Sequence, residues 1–200
     1  MPERLSPLAQ DASAPGLSLR SCGRLLQYDA WPETYGEMAG LVASHGDMAA
    51  GPAPGKSAHG AAGSLLRIHP QRLWLLSERP GAGAGLELEP HVGVSLDLSH
   101  ARSILGVAEE IAEPLLSRFI AIDLRPHRFA VDDVATTPLH RVSVVLWRRA
   151  DGIDILAPRS FARSIWDLLA ETAERLGYCS TSCSRSSGAG LSSLIALVTT

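Results

Sequence analysis

Lysine is almost missing from this 200-residue chain: Lys56 stands alone against seventeen arginines. With Ala, Gly and Pro plentiful, that imbalance reads as GC-rich coding first and surface design second. Cysteine is as sparse. Cys22, Cys179 and Cys183 form an odd, scattered set, which excludes a disulfide framework and fits a reducing compartment. No apolar run nears the roughly 18 residues that span a bilayer. The N-terminus lacks the basic start and apolar run of a signal peptide. A cytoplasmic location is therefore expected. An excess of positive charge is absent too: the net charge is −3, so nothing predicts a nucleic-acid or anionic-membrane partner. What remains is 46% hydrophobic and 20% charged, enough for a core without covalent staples.

The clearest local pattern is Arg141 to Gly177. V-S-V-V-L-W-R-R predicts a strand buried on both faces. Asp151-Gly152 predicts a type I′ turn, and I-D-I alternates as a strand with one wet face. A helix follows Pro158, with Ser160 as its expected cap. Phe161, Ile165, Leu168, Leu169, Ala173 and Leu176 recur at three and four residues as its apolar stripe. Burying each large member is worth on the order of 1.5–3 kcal/mol. Gly177 stands where a left-handed residue ends a helix.

Elsewhere, residues 1–16 read as a flexible start and 179–200 as a low-complexity tail. Between them, 17–178 reads as one α+β domain, divisible into intertwined parts near 17–90 and 91–178. Strands are expected over Leu17–Trp31, broken at Cys22-Gly23. A helix over Glu33–Ser44 turns Met38, Leu41 and Val42 inward. Gly46–Gly63 reads as a loop. Further strands follow at Leu65–Ile68, Leu73–Leu76 and Val92–Leu98, with Arg102–Val107 continuing the same sheet. Residues 79–90 read as a flexible connection. Ile111–Phe119 forms a helix that Pro114 either starts or kinks, and Ile122–Phe129 is extended before Pro126.

Candidate chemistry is thin. A-G-P-A-P-G-K-S (50–57) matches a relaxed phosphate loop but lacks the strand before it and the helix after it. Seven scattered histidines make no zinc spacing, so no metal site is assigned. Asp97, Ser99 and His100 contain the residue types of a nucleophilic triad. Adjacent Ser and His on an extended chain point apart, however, so a structural turn or contact surface is favoured. Arg141, Arg148, Arg149, Arg159 and Arg163 flank the 141–177 unit as a solvated rim or an interaction surface. The tryptophans at 31, 74, 147 and 166 read as core or subunit anchors.

Four segments come in one order: D-L-S-H-A-R (97–102), I-D-L-R-P-H-R-F (122–129), V-V-L-W-R-R (144–149) and A-P-R-S-F-A-R-S-I-W-D-L-L (157–169). Together they resemble the gamma subunit family of heterotetrameric sarcosine oxidase, over about residues 65–178. That resemblance implies an α+β fold of antiparallel or mixed sheets in plait-like units, similar to the aminomethyltransferase folate-binding domain. It implies alpha, beta and delta partner subunits, with FAD, FMN, NAD, zinc and tetrahydrofolate held there and no cofactor or catalytic residue in this chain. The implied activity of the whole is oxidative demethylation of sarcosine to glycine. Arg159, Arg163, Phe161, His100 and Arg102 are the candidate subunit-interface residues. An independent folate-binding or aminomethyltransferase-like protein, or a gamma-like subunit of a related N-methyl amino acid dehydrogenase, is the alternative.

Overall fold

The computed structural model describes residues 14–77 and 85–178. Residues 1–13 of the flexible start, 79–84 of the expected connection and the 179–200 tail, with Cys179 and Cys183, lie outside that range. Among the described residues, ten strands and three α-helices make an α+β fold. The strands are β1 Leu17–Ser21, β2 Arg24–Ala30, β3 Ser57–Gly60, β4 Gly63–His69, β5 Arg72–Ser77, β6 Gly93–Asp97, β7 Arg102–Ala108, β8 Val134–Leu139, β9 Val142–Arg149 and β10 Gly152–Pro158. The helices are α1 Tyr35–His45, α2 Glu109–Leu116 and α3 Ala162–Arg175. One sheet runs β1-β7-β10-β9-β8 and the other β3-β4-β5-β2-β6. Every pairing in both is antiparallel, so the mixed-sheet alternative does not apply.

The side-chain alternation of the strands dictates four layers. On β2, Leu26, Tyr28 and Ala30 turn to one face and pack with Met38, Ala39 and Val42 of α1. Leu25, on the opposite face, joins Leu66, Trp74 and Leu76 against Ile104, Val145, Trp147 and Leu156 of the other sheet. That second sheet's far face, with Leu105, Leu146, Ile153 and Ile155, is covered by Ile111 and Leu115 of α2 and Ile165, Trp166 and Leu169 of α3. The order is therefore helix, sheet, sheet, helices.

Several expectations are corrected. The chain after Ser99-His100 does not continue its sheet: β6 and β7 lie in different sheets. The 46–63 loop ends in a strand, β3, whose S-A-H-G carries no apolar signal. Leu41 is exposed, and the small side chains of Ala39 and Ala43 go inward instead. Around Pro126 the chain turns, with Arg125 O accepting from Arg128 N and Phe129 N, rather than running extended. Helix α2 begins at Glu109 and contains Pro114. Ser160 does not cap α3: a 3₁₀ turn over Arg159–Phe161 precedes it, no side chain caps its first turn, and Phe161 is exposed. Gly177 does adopt the left-handed conformation, at φ 87°, and Tyr178 N donates to Ala173 O.

The β9–β10 hairpin forms as read, but its turn residues are Ala150 and Asp151, neither at positive φ, so the turn is not type I′. Glycine at 152 is needed for another reason. A Cβ there would come within 2.1 Å of Val107 O, so β10 lies against β7 only because the side chain is absent. Strand β10 is buried from Gly152 to Ala157, correcting the wet face, and it takes Asp154 inside with it. The carboxylate is held by Arg20, and by Arg149 Nη1 at 3.3 Å. Removing one partner of such a group leaves charge uncompensated. Replacing Asp154 with Ala should therefore cost about 2–3 kcal/mol in urea unfolding. That is below the roughly 3–5 kcal/mol of a fully buried pair, because both arginine side chains are about a third exposed (34% and 29%). The D151A variant, altering an 86% exposed side chain, should stay within about 0.5 kcal/mol of the parent. Equal effects from the two would overturn this reading of the cluster.

Candidate functional site

Two short crossings bring the interface candidates together. The chain passes from the first sheet to the second through Cys22-Gly23, between β1 and β2. It returns through 98–101, between β6 and β7. Leu98 N donates to Leu25 O, and Leu98 O then accepts from Ala101 N at 2.9 Å, closing a tight turn. Ser99 is the rivet of that turn. Its hydroxyl accepts from Leu25 N at 2.9 Å and its own N–H donates to Asp97 Oδ1 at 2.8 Å. Asp97, Ser99 and His100 thus build a turn around a buried serine, as favoured over a nucleophile. Burial by itself would raise the Asp97 carboxyl. The bonds from Ser99, with the positive charge of Arg24 and His100, outweigh it and hold the group below its ordinary value.

Arg102, the first residue of β7, lies over the Trp74 ring at 5.0 Å. Burial lowers it from the ordinary arginine value, against the influence of Cys22. Across the sheet Arg102 pairs with Pro158. Arg159 N then donates to Ala101 O at 2.9 Å. This bond fastens the start of the 3₁₀ turn onto the 98–101 crossing. Phe161, 47% exposed, follows on that turn. Arg163 stands in the first turn of α3, its Nε on Asp167 at 2.9 Å. His100, Arg102, Arg159 and Phe161 therefore share one corner, with Arg163 beside them, though sixty residues separate the two ends in sequence.

The other flanking arginines divide differently. Arg148 is buried, its guanidinium on Glu109 and on Leu124 O at 2.6 Å. Arg149 lies over Trp147 at 4.8 Å and serves Asp154. Neither belongs to a solvated rim. Trp74, Trp147 and Trp166 are core, whereas Trp31 is exposed. Lys56 of the phosphate-loop lookalike is tied to Asp133, and a strand follows it, not a helix.

A second polar cluster carried no signal in sequence because its parts lie far apart. His59 places Nδ1 3.0 Å from Ser64 Oγ and Nε2 2.7 Å from Asp132 Oδ1. Its ring stacks on Trp147 at 5.9 Å, and the Trp147 indole N–H donates to Ser57 Oγ at 3.0 Å. The exposure of Val94 and Leu96 on β6 carries no sequence signal either, since strand alternation marks one face apolar without saying whether anything covers it.

No family model matches the chain. Two curated relatives do. The sarcosine oxidase subunit gamma of an Arthrobacter species is 30% identical over 130 residues, covering 65% of this chain and 57% of the relative. That of Corynebacterium sp. strain P-1 is 31% identical over 129 residues, covering 64% and 56%. The chain thus matches a little over half the length of these relatives. Among solved structures, a chain of the heterotetrameric sarcosine oxidase from Corynebacterium sp. U-96 superposes at TM-score 0.71 with 26% identity. The match covers 88% of this chain and 98% of that one.

In sequence the chain is similar to sarcosine oxidase gamma subunits, and in fold to a chain of the heterotetrameric enzyme. The two sheets of this chain join at a corner held by Ser99, which makes a specific demand on stability. Replacing Ser99 with Ala orphans the Leu25 N–H and should cost about 1–3 kcal/mol at neutral pH. It also removes a bond that lowers Asp97. A carboxyl with a depressed folded value contributes stability above its unfolded value, near 3.8, and loses it as pH falls through the folded value. The gap between S99A and the parent should therefore narrow below about pH 4 in urea titrations. A gap constant from pH 7 to pH 2.5 would contradict the Asp97 linkage.

Proposed function

We propose that the chain is the non-catalytic gamma subunit of a heterotetrameric, sarcosine-oxidase-like flavoenzyme that oxidatively demethylates sarcosine to glycine. Its partners are alpha, beta and delta subunits, which hold FAD, FMN, NAD, zinc and tetrahydrofolate. The observation that carries this reading is the superposition on a chain of a heterotetrameric sarcosine oxidase at TM-score 0.71, over 98% of that chain. The 98–102 and 158–163 corner supplies the docking surface. Its arginines suit bidentate pairing with carboxylates, and an exposed phenylalanine beside them suits the apolar anchor of an interface.

The test is co-expression with the flavin-binding subunits. The chain should be colourless alone and should co-purify with the flavin and the sarcosine-oxidising activity. Reversing charge in R159E/R163E, or truncating Phe161 to Ala, should weaken assembly by roughly thirtyfold, equal to the 2 kcal/mol that marks an interface hot spot. Unchanged assembly and activity in these variants would remove the docking role from the corner. Tight folate binding by the isolated chain, without co-purification, would favour the independent folate-binding alternative.

A further inference from the structure

Sheets in a soluble protein guard their edges, because a row of unpaired N–H and C=O groups is a template for another strand. Among the described residues this chain has four edges: β1 and β8 in one sheet, β3 and β6 in the other. Three are guarded. Strand β8 contains Pro138. Strand β3 is four residues long and starts beside Lys56. Strand β1 carries Arg20, and Ala14 folds back to bridge Leu17 at its start. Strand β6, G-V-S-L-D, contains no proline, lysine or arginine, and its register on β2 runs without a bulge from Gly93 to Asp97.

Both the backbone and the side chains of β6 are laid out for pairing. The bond from Leu98 N to Leu25 O sets the phase: even-numbered residues turn their N–H and C=O groups to β2. Ser95 and Asp97 therefore turn theirs outward. Val94 and Leu96 project to the inter-sheet side, since Leu96 pairs with Gln27 and Gln27 with Trp74 of the inter-sheet core. The other sheet stops short of them, and they stay 52% and 54% exposed. Charge at the far end is mainly positive, with the Asp97 carboxylate facing Arg24 and His100. His100, Arg102 and Arg159 stand just past the C-terminus of β6, where Arg102 covers the same row of the sheet at Trp74.

We propose that β6 is an acceptor edge for an extended segment of a partner subunit, which adds as an eleventh strand, antiparallel to β6. The segment's apolar side chains, two residues apart, cover Val94 and Leu96. Its acidic N-terminal end lies against His100, Arg102 and Arg159, because an antiparallel strand begins where β6 ends. This rests on the docking reading above and gives it a mode: strand addition at the sheet edge, not only a patch of side chains.

Residue-resolved hydrogen exchange, on the isolated chain and on the chain co-assembled with the flavin-binding subunits, tests it. The Ser95 and Asp97 amides should exchange freely in the isolated chain and slow at least tenfold in the complex. The Val94 and Leu96 amides, already bonded to β2, should be protected in both. In parallel, S95P removes an outward donor without touching the β2 ladder, and V94S/L96S removes the apolar pair. Each should weaken assembly at least tenfold while the isolated chain keeps its thermal midpoint. A complex that assembles with Ser95 and Asp97 still exchanging freely overturns the strand-addition mode and leaves the docking function standing. Failure of the parent chain to assemble at all overturns both. Should S95P not fold, the exchange measurement decides without it.

Discussion

The fold depends on a two-stranded antiparallel ribbon that runs through both sheets. Strands β1 and β7 pair in one sheet, β2 and β6 in the other, and the ribbon bends between them at Cys22-Gly23 and at 98–101. Bending a ribbon breaks its ladder, and each broken bond needs a substitute acceptor inside the protein. The Ser99 hydroxyl supplies one, taking the Leu25 N–H. Gly23, at φ 54°, supplies the left-handed residue on the opposite strand. With the bend in place, the sheets face each other across Trp74 and Trp147, and the helices take the two outer faces.

The same bend creates the surface on which the functional reading turns. Both sheet crossings emerge at one corner, and Arg159 N fastens the start of the last helical unit to the outer crossing. Arginines from separate parts of the chain are gathered there by backbone bonds, not by one another. Next to the bend, the edge strand β6 leaves Val94 and Leu96 exposed. The proposed docking surface and the core between the sheets thus meet at the same bend.

Much of this was legible in the residues. The 141–177 unit, the β4–β5 pair and the break at Cys22-Gly23 follow from period-two alternation, turn residues and a terminal glycine, all local signals. The misreadings share a physical cause. Strand β3 owes its place to its neighbour β4 and to the His59–Asp132 bond, neither of which a four-residue S-A-H-G announces. Asp154 looked like the wet position of an alternating strand. It is buried because Arg20, 134 residues earlier, meets it. Phe161 fitted a helical stripe, yet the chain is still in a 3₁₀ turn there, and that turn leaves the ring exposed. At the corner, the segments 97–102 and 158–163 were legible as candidates, but their adjacency comes from β7–β10 pairing, which no local pattern encodes.

The central claim is that this chain works as a docked subunit and not as a free-standing protein. Native mass spectrometry of the flavin-containing complex, co-expressed and purified through a tag on a flavin-binding subunit, tests it most directly. The account predicts a four-subunit assembly containing one copy of this chain. A fully active flavin complex lacking the chain, with the chain recovered only as a separate species, would contradict it.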